Sequence, residues 1–124
     1  MDIPVLLVCD DEEAMAEVVA EVAEEIGFDV HVATEADRFK DVFRENRVTG
    51  IVLDVVMPGT DGNDLLGWLA AQGSTCPVII MSGYGGKYLG MAKLIGEYRG
   101  RFPIHTIEKP FMVDDLEEKL LALQ

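Results

Sequence analysis

Five short apolar runs, rich in β-branched residues, alternate along the 124-residue chain with segments of helical periodicity. The predicted strands are residues 3–9, 30–33, 50–53, 76–81 and 104–107, and the predicted helices are residues 12–26, 36–44, 61–71, 88–98 and 112–123. Parallel strands need helical crossover connections, so this order favours a parallel sheet with helices on both faces. We therefore expect a doubly wound α/β domain, a (βα)5 three-layer sandwich around a five-stranded parallel sheet.

The first predicted helix carries Met15, Val18, Val22 and Ile26 at helical spacing, with glutamates on the remaining surface. Residues three and four apart share one face of a helix, so these side chains are expected to pack on the sheet. Gly27 follows them and is a predicted helix stop, because glycine adopts the left-handed conformation that ends many helices.

The chain is strongly acidic, with 10 Lys and Arg against 23 Asp and Glu and a formal net charge of −13 at pH 7. This charge repels nucleic-acid phosphates and anionic lipid headgroups, which argues against direct nucleic-acid or membrane binding. No apolar run approaches the roughly 20 residues of a membrane span, and residues 1–4 lack the basic start of an export signal. We expect a cytoplasmic protein, with a single domain over residues 1–124 and no output domain in this chain.

The two cysteines, Cys9 and Cys76, lie inside apolar stretches. They form no pattern typical of zinc ligation or of a secreted disulfide framework. Free cysteine packs as a small hydrophobic residue, so both are predicted to be buried thiols.

Polar side chains stand at the ends of four predicted strands. Asp10 and Asp11 follow the first strand, Asp54 the third, Ser82 the fourth and Lys109 the fifth. The carboxyl ends of parallel strands meet at one edge of an open sheet, which is where ligands bind. Three carboxylates there repel one another unless a cation neutralises them, and an all-oxygen set suits Mg²⁺. Asp10 or Asp11 could instead cap the first helix, but the cluster as a whole favours a metal site.

Asp54 lies in the segment VLDVVMPGTDG, residues 52–62. An apolar strand that delivers one Asp before a Met-Pro-Gly loop and an Asp-Gly helix start resembles the phosphoacceptor segment of response-regulator receiver domains of two-component signalling. The acidic pair after the first strand, Ser82-Gly83 after the fourth and Lys109-Pro110-Phe111 after the fifth match this family in order. The resemblance covers essentially the whole chain and implies a flavodoxin-like receiver fold with strand order 2-1-3-4-5.

The resemblance implies that Asp54 is the phosphoacceptor. Its carboxylate would attack a phosphohistidine on a histidine kinase or a histidine phosphotransfer protein and form an aspartyl phosphate. Lys109 would neutralise charge on the phosphoryl oxygens, and the Ser82 hydroxyl would donate a hydrogen bond to one of them. Such a chain is not a turnover enzyme: it catalyses only its own phosphorylation and dephosphorylation, and its conformational change controls a partner or a separate output domain.

The resemblance also implies a Mg²⁺ cofactor, for which Mn²⁺ could substitute. Asp10, Asp11 and Asp54 would bind the ion through their carboxylates, and Val56 through its backbone carbonyl. All of these donors are oxygen atoms, the ligands that such ions prefer.

The chain departs from the usual receiver pattern at the residues that report phosphorylation. Receivers usually carry Tyr or Phe three residues before the strand-five lysine, and here that position is Thr106. Its neighbour His105 is of a residue type that can change charge near neutral pH, but a histidine on a strand is more often structural. The resemblance also suggests a cis bond before Pro110, which would aim the Lys109 side chain at the site.

Val56 and Tyr84 stand two residues after Asp54 and Ser82, at positions that tune phosphoryl lifetime in receivers. An apolar group and a bulky ring give attacking water little help, so slow self-dephosphorylation is expected. Gly83 begins a glycine-rich stretch, and a helix weakened by glycine has low local stability. We hypothesise that phosphorylation reorders residues 84–101 and does not rotate a single aromatic ring.

Apolar residues at helical spacing lie on the face of the fourth predicted helix, the fifth strand and the last helix. They are Met91, Leu94, Ile95, Met112, Leu116 and Leu120. Such a stripe is normally buried core, and in receivers this face also serves as a partner or homodimer surface. The sequence leaves both readings open, as it does the choice between a stand-alone receiver and a module of a longer protein.

Three rival functions fit the residues less well. A haloacid-dehalogenase-like phosphatase needs a second Asp two residues after its nucleophile, and here that residue is Val56. A flavodoxin-like cofactor carrier needs a phosphate-binding loop after the first strand, where Asp10 and Asp11 would repel the phosphate. A degenerate receiver that acts only as a protein-interaction module is disfavoured, because every residue of the matched site is present.

Overall fold

The computed structural model describes residues 2–54, 56–57, 60–83, 98 and 100–124. The strands of the main sheet are β1 (Val5–Cys9), β2 (Asp29–Ala33), β3 (Gly50–Asp54), β4 (Val78–Ser82) and β5 (Ile104–Glu108). The helices of the described part are α1 (Glu13–Glu25), α2 (Ala36–Glu45), α3 (Gly62–Ala71) and α4 (Val113–Leu121), and none of these is long and apolar enough to cross a membrane. A short antiparallel ribbon pairs Val56–Met57 with Thr60–Asp61. The helix predicted over residues 88–98 lies outside the described residues, apart from Tyr98.

All pairings in the main sheet are parallel, and the strand order is β2-β1-β3-β4-β5. The predicted doubly wound fold and the order 2-1-3-4-5 are therefore confirmed. The order reverses direction at the β1–β3 pair, and a crevice opens outside the carboxyl ends of the strands at such a reversal. This topology makes the segments that follow β1 and β3 the natural walls of a site.

Two hydrophobic clusters fill the two sides of the sheet. Leu7 and Leu53 lie in the cluster that includes Phe39 of α2, whereas Leu6 and Val52 lie in the cluster that includes α1 and α4 side chains. Successive strand residues point to opposite faces, so a strand covered on both sides must be apolar at every position. This explains the unbroken apolar runs of β1 and β3.

The buried face of α1 differs from the predicted one. The residues of α1 that pack inward are mostly small: Ala16, Val19, Ala20, Val22 and Ala23. Of the four predicted residues only Val22 is buried, and Val18 is 42% exposed. Alanine lets the helix backbone approach the sheet closely. The face that packs on the sheet is therefore rotated by roughly one residue, about 100°, from the predicted face of larger side chains. The prediction is confirmed for Val22 and for Ile26, which packs against the core, and it is wrong for Val18 because it gave weight only to large apolar residues.

Glycines in the left-handed region end both α1 and α3. Gly27 has a φ of 104° and Gly73 has a φ of 73°. After α1, the Phe28 N–H donates to the Ala23 carbonyl and the Gly27 N–H donates to the Glu24 carbonyl, which is the Schellman pattern. The predicted helix stop at Gly27 is confirmed, and its positive φ explains why glycine is suited to this position.

Gly27→Ala is expected to lower the free energy of unfolding by about 1–2 kcal/mol, because a β-carbon strains a left-handed backbone. Steric overlap is not the cause, since the new β-carbon would meet only the Gln124 Nε2 atom, at an ordinary 3.8 Å. Gly100→Ala is the matched control: nothing lies within 4 Å of its β-carbon position, and a change within about 0.5 kcal/mol is expected. Urea unfolding measures both variants, and equal losses would contradict the backbone explanation.

Candidate functional site

Residues from four strand ends come together at the carboxyl edge of the sheet. Asp10 and Asp11 follow β1, Asp54 ends β3, Ser82 ends β4 and Lys109 follows β5. Asp11 is exposed and the other four are buried. Burial of four polar residues in one place is costly unless they have partners, so their mutual contacts determine what this edge can do.

The Lys109 ammonium bridges two of the carboxylates. Its Nζ atom donates to Asp10 Oδ2 at 3.0 Å and to Asp54 Oδ2 at 3.2 Å. Burial alone would lower the pKa of Lys109, but the hydrogen bond to Asp10 and the negative charges of Asp54 and Asp10 outweigh burial and leave the pKa raised. Lys109 is therefore a fixed cation at neutral pH.

Asp10 uses both of its carboxylate oxygens. Oδ1 accepts the Glu12 backbone N–H at 2.9 Å, and Oδ2 accepts from Lys109. Burial raises the pKa of Asp10, while the bonds from Glu12 and Lys109 oppose that rise. Asp10 thus ties down the start of the first helical segment and also belongs to the acidic cluster. The sequence left open that Asp10 caps the first helix, and the bond from the Glu12 N–H, at the spacing of an Asx turn, is a contact of this kind.

The three aspartates fit a magnesium ion. Asp10, Asp11 and Asp54 each offer a carboxylate oxygen, and these atoms lie within 4.8 Å of one another. Three carboxylates and one ammonium leave two surplus negative charges, the amount that a divalent cation balances. The donor atoms are all oxygens, which Mg²⁺ prefers. The backbone of Val56, a further predicted donor, lies in the ribbon two residues after Asp54.

The pairing of β4 with β5 places Ser82 next to Lys109. Ser82 is opposite Glu108 in the register, and the Lys109 N–H donates to the Ser82 carbonyl at 3.0 Å. The Lys109–Pro110 peptide bond is cis, as predicted. The backbone of Lys109 is thus held by β4 while its side chain reaches the ends of β1 and β3.

Two of the predicted switch residues, His105 and Thr106, lie on β5, a few residues before Lys109. On β5, Thr106 is exposed and opposite Ile80, whereas His105 is half-buried and opposite Ile79. Gly83 is half-buried, with open space where a β-carbon would stand. Residues 84–97, which include Tyr84 and make up most of the segment expected to reorder, lie outside the described residues. The switch and tuning roles of all these residues, and of Val56, stay predictions.

The predicted apolar face of β5 and the last helix divides into core and surface. Leu116 and Leu120 are fully buried, whereas Met112 is 70% exposed. Met91, Leu94 and Ile95 lie outside the described residues. The buried pair belongs to the hydrophobic core, so in the described part of this face Met112 is the member exposed to solvent.

The Cys9 thiol ends β1 directly before Asp10. Burial raises the pKa of Cys9 to about 12, and the negative charges of Asp10, Asp54 and Asp11 act in the same direction. Because the thiolate is the reactive form, Cys9 is inert near neutral pH. The prediction of a buried thiol is confirmed for Cys9, whereas Cys76 is only half-buried and its Sγ donates to the Val48 carbonyl.

Comparisons with known proteins identify the family. Residues 6–121 match a family model described as the response regulator receiver domain. Transcriptional regulatory protein FixJ of Bradyrhizobium diazoefficiens is 34% identical over 112 residues, which cover 90% of this chain and 52% of FixJ. The nitrogen assimilation regulatory protein NtrX of Azorhizobium caulinodans is 31% identical over 113 residues, covering 90% of this chain and 24% of NtrX. The solved receiver domain of Francisella response regulator 1452 is 32% identical with a TM-score of 0.79, covering 97% of this chain and 95% of that one. The chain thus spans about half the length of FixJ and a quarter of NtrX.

Proposed function

The chain belongs to the response regulator receiver domain family, and on that premise we propose that Asp54 accepts a phosphoryl group from a phosphohistidine of a histidine kinase or a histidine phosphotransfer protein. One observation carries the proposal: the Lys109 ammonium is shared between Asp10 and Asp54 inside a cluster of three aspartates. A structural ion pair needs one carboxylate for each ammonium. The surplus of carboxylates here suits a site that recruits a cation and handles a phosphoryl group.

In the proposed step, a carboxylate oxygen of Asp54 attacks the phosphorus of the donor. A phosphorus–oxygen bond forms, the phosphorus–nitrogen bond to the donor histidine breaks, and the imidazole leaves with that electron pair. Negative charge spreads over the three other phosphoryl oxygens during this transfer. Lys109, 3.2 Å from Asp54 Oδ2, neutralises that charge, and the Ser82 hydroxyl donates a hydrogen bond to one of the oxygens.

The residues proposed to hold Mg²⁺ are Asp10, Asp11 and Asp54, with the backbone carbonyl of Val56, and Mn²⁺ suits the same donors. When bound, the ion supplies positive charge that offsets the carboxylates and the phosphoryl group. Asp11 is the exposed member of the cluster, so it marks the side from which an ion and a phosphodonor approach.

On this proposal the chain catalyses only the formation and hydrolysis of its own aspartyl phosphate. Phosphorylation changes the conformation of the chain, and this change controls a partner protein or a separate output domain. One proposed means is a homodimer formed through β5, α4 and the helix predicted over residues 88–98. Exposed Met112, next to α4, supports a contact on that face. A degenerate receiver is the second candidate. The active one is favoured because carboxylate oxygens of Asp10, Asp11 and Asp54 lie within 4.8 Å of one another and Lys109 pairs with two of these aspartates.

Intact-mass measurement after incubation with acetyl phosphate or phosphoramidate tests the proposal. With Mg²⁺ the chain is expected to gain the mass of one phosphoryl group, and hydroxylamine should remove it, as it does an acyl phosphate. With EDTA in place of Mg²⁺ no gain is expected, because the surplus carboxylates then repel the donor.

A phosphorylated histidine phosphotransfer protein serves as the second donor. If the folded chain binds Mg²⁺ but gains no phosphoryl group from either kind of donor, the degenerate receiver is the correct function. A gain that is equal in EDTA would leave the acceptor in place and refute the metal site.

A further inference from the structure

The outer surface of α2 differs in charge from the rest of this acidic chain. Residues 10–29, which include α1, carry nine acidic residues and no basic one. In contrast, residues 36–47 carry four of the ten basic residues of the chain: Arg38, Lys40, Arg44 and Arg47. The neighbouring helix α3 has Asp64 as its one charged residue. Residues 36–47 also carry three acidic residues, Asp37, Asp41 and Glu45, so this segment has a net charge of +1, against −9 for residues 10–29. The surface where α2 meets α3 is therefore close to neutral, on a protein of net charge −13.

An aromatic ring stands at the centre of this surface. Lys40 Nζ lies 5.9 Å from the centroid of the Trp68 ring and Arg44 Cζ lies 5.3 Å from it. Phe43 packs edge-on against the same ring at 5.5 Å. Lys40 and Arg44 are four residues apart, so they project from one face of α2. We call Lys40, Phe43, Arg44 and Trp68 the α2–α3 face.

The present partner of Arg44 is easily exchanged. Arg44 NH1 is 3.3 Å from Asp41 Oδ1, and both side chains are more than half exposed. An exposed pair of this kind contributes little to stability, so a carboxylate from another molecule can replace Asp41 at small cost.

A shallow groove lies along α3, the helix that carries Trp68. This groove of about 340 Å³ is lined by Gly67, Ala70, Ala71, Tyr98 and Arg101. Gly67 keeps it open, since a β-carbon there would lie 3.1 Å from the Tyr98 hydroxyl. The groove is lined by three small residues, the Tyr98 side chain and one cation, Arg101, so it suits a further apolar side chain with an acidic neighbour.

We propose that the α2–α3 face docks an acidic segment of a partner protein, whose carboxylates pair with Lys40 and Arg44 while an apolar side chain packs on Trp68. Tryptophan and arginine are the residue types that contribute most at protein interfaces. The acidic surface elsewhere repels such a segment, which directs it to this face. A second copy could offer its acidic α1, but that contact would join unlike surfaces and would not close into a dimer.

Fluorescence of Trp68 tests the proposal, because Trp68 is the only tryptophan of the chain. The probe is a synthetic helical peptide with glutamates four residues apart beside one leucine, and a matched peptide carries glutamine in place of each glutamate. The glutamate peptide is expected to change the fluorescence saturably and to bind more weakly as salt is added. The double variant Lys40→Glu, Arg44→Glu should bind at least about tenfold more weakly.

The matched control is the double variant Arg38→Glu, Lys119→Glu, which changes the net charge equally but keeps the Lys40 and Arg44 contacts with Trp68. Its affinity for the glutamate peptide is expected to change by less than about twofold. A cooperative urea-unfolding transition shows that each variant is folded; its midpoint is expected to fall slightly in Lys40→Glu, Arg44→Glu, which loses two cation–π contacts with Trp68. The proposal is overturned by an absent response, by equal binding of the glutamine peptide, or by equal losses in the two double variants. It is also overturned if the α2–α3 face mediates self-association. In that case sedimentation would show a dimer of the wild-type chain and a monomer of Lys40→Glu, Arg44→Glu. The α2–α3 face shares no residue with the aspartate cluster, so failure of the phosphoryl test leaves this proposal standing.

Discussion

Asp54→Asn is expected to slow phosphoryl uptake by at least about 10³-fold, to the background level. The substitution keeps the size of the side chain but replaces the charged nucleophile with a neutral amide. It also removes one negative charge from a cluster in which three carboxylates share one ammonium, so the fold is expected to persist. The rate of mass gain with a small-molecule phosphodonor and Mg²⁺ measures the effect.

Asp114→Asn is the matched control, since it makes the same chemical change at an exposed position in the first turn of α4. Its uptake rate is expected to stay within about twofold of the wild-type rate. Peptide mapping then locates the phosphoryl group in the wild-type chain. Uptake by Asp54→Asn at a comparable rate, with the group on Asp10 or Asp11, would show that a different carboxylate is the nucleophile.

The strands and the site residues were predictable because both depend on short-range patterns. A run such as residues 50–53 is too short for a helix and apolar at every position, which only a strand buried on both faces explains. A polar residue directly after such a run must lie at the sheet edge. Asp54 and Ser82 could therefore be assigned to one edge of the sheet from the sequence alone.

The contacts inside the site could not be predicted in this way. Lys109 is 99 residues from Asp10 and 55 from Asp54, and its double hydrogen bond depends on β5 pairing with β4 and on the reach of the side chain. Sequence spacing says nothing about either. The α2–α3 face was missed for the same reason, since Arg44 and Trp68 meet only through the packing of two helices.

Lys109→Met is expected to lower the free energy of unfolding by about 3–5 kcal/mol in EDTA at pH 7, because it leaves buried Asp10 and Asp54 without their shared cation. Small domains are typically stable by about 5–15 kcal/mol, so this is a large fraction of the total. Methionine retains most of the apolar length of lysine, which limits the loss of packing. Urea unfolding measures the change, and Lys119→Met on α4 is the control, with a change within about 0.5 kcal/mol.

The pH dependence of this loss distinguishes lost charge from lost packing. Burial already raises the pKa of Asp10 and Lys109 opposes that rise, so the folded-state pKa climbs further without Lys109. A carboxyl group with a raised folded-state pKa destabilises the fold above that pKa, and the effect disappears as the pH falls through it. The difference in the free energy of unfolding between wild type and Lys109→Met should therefore become smaller from pH 7 toward about pH 4. It should also narrow when Mg²⁺ is added at pH 7, because the ion restores positive charge to the cluster. A difference that changes with neither pH nor Mg²⁺ would assign the loss to packing and refute the role of Lys109 as the shared counter-ion.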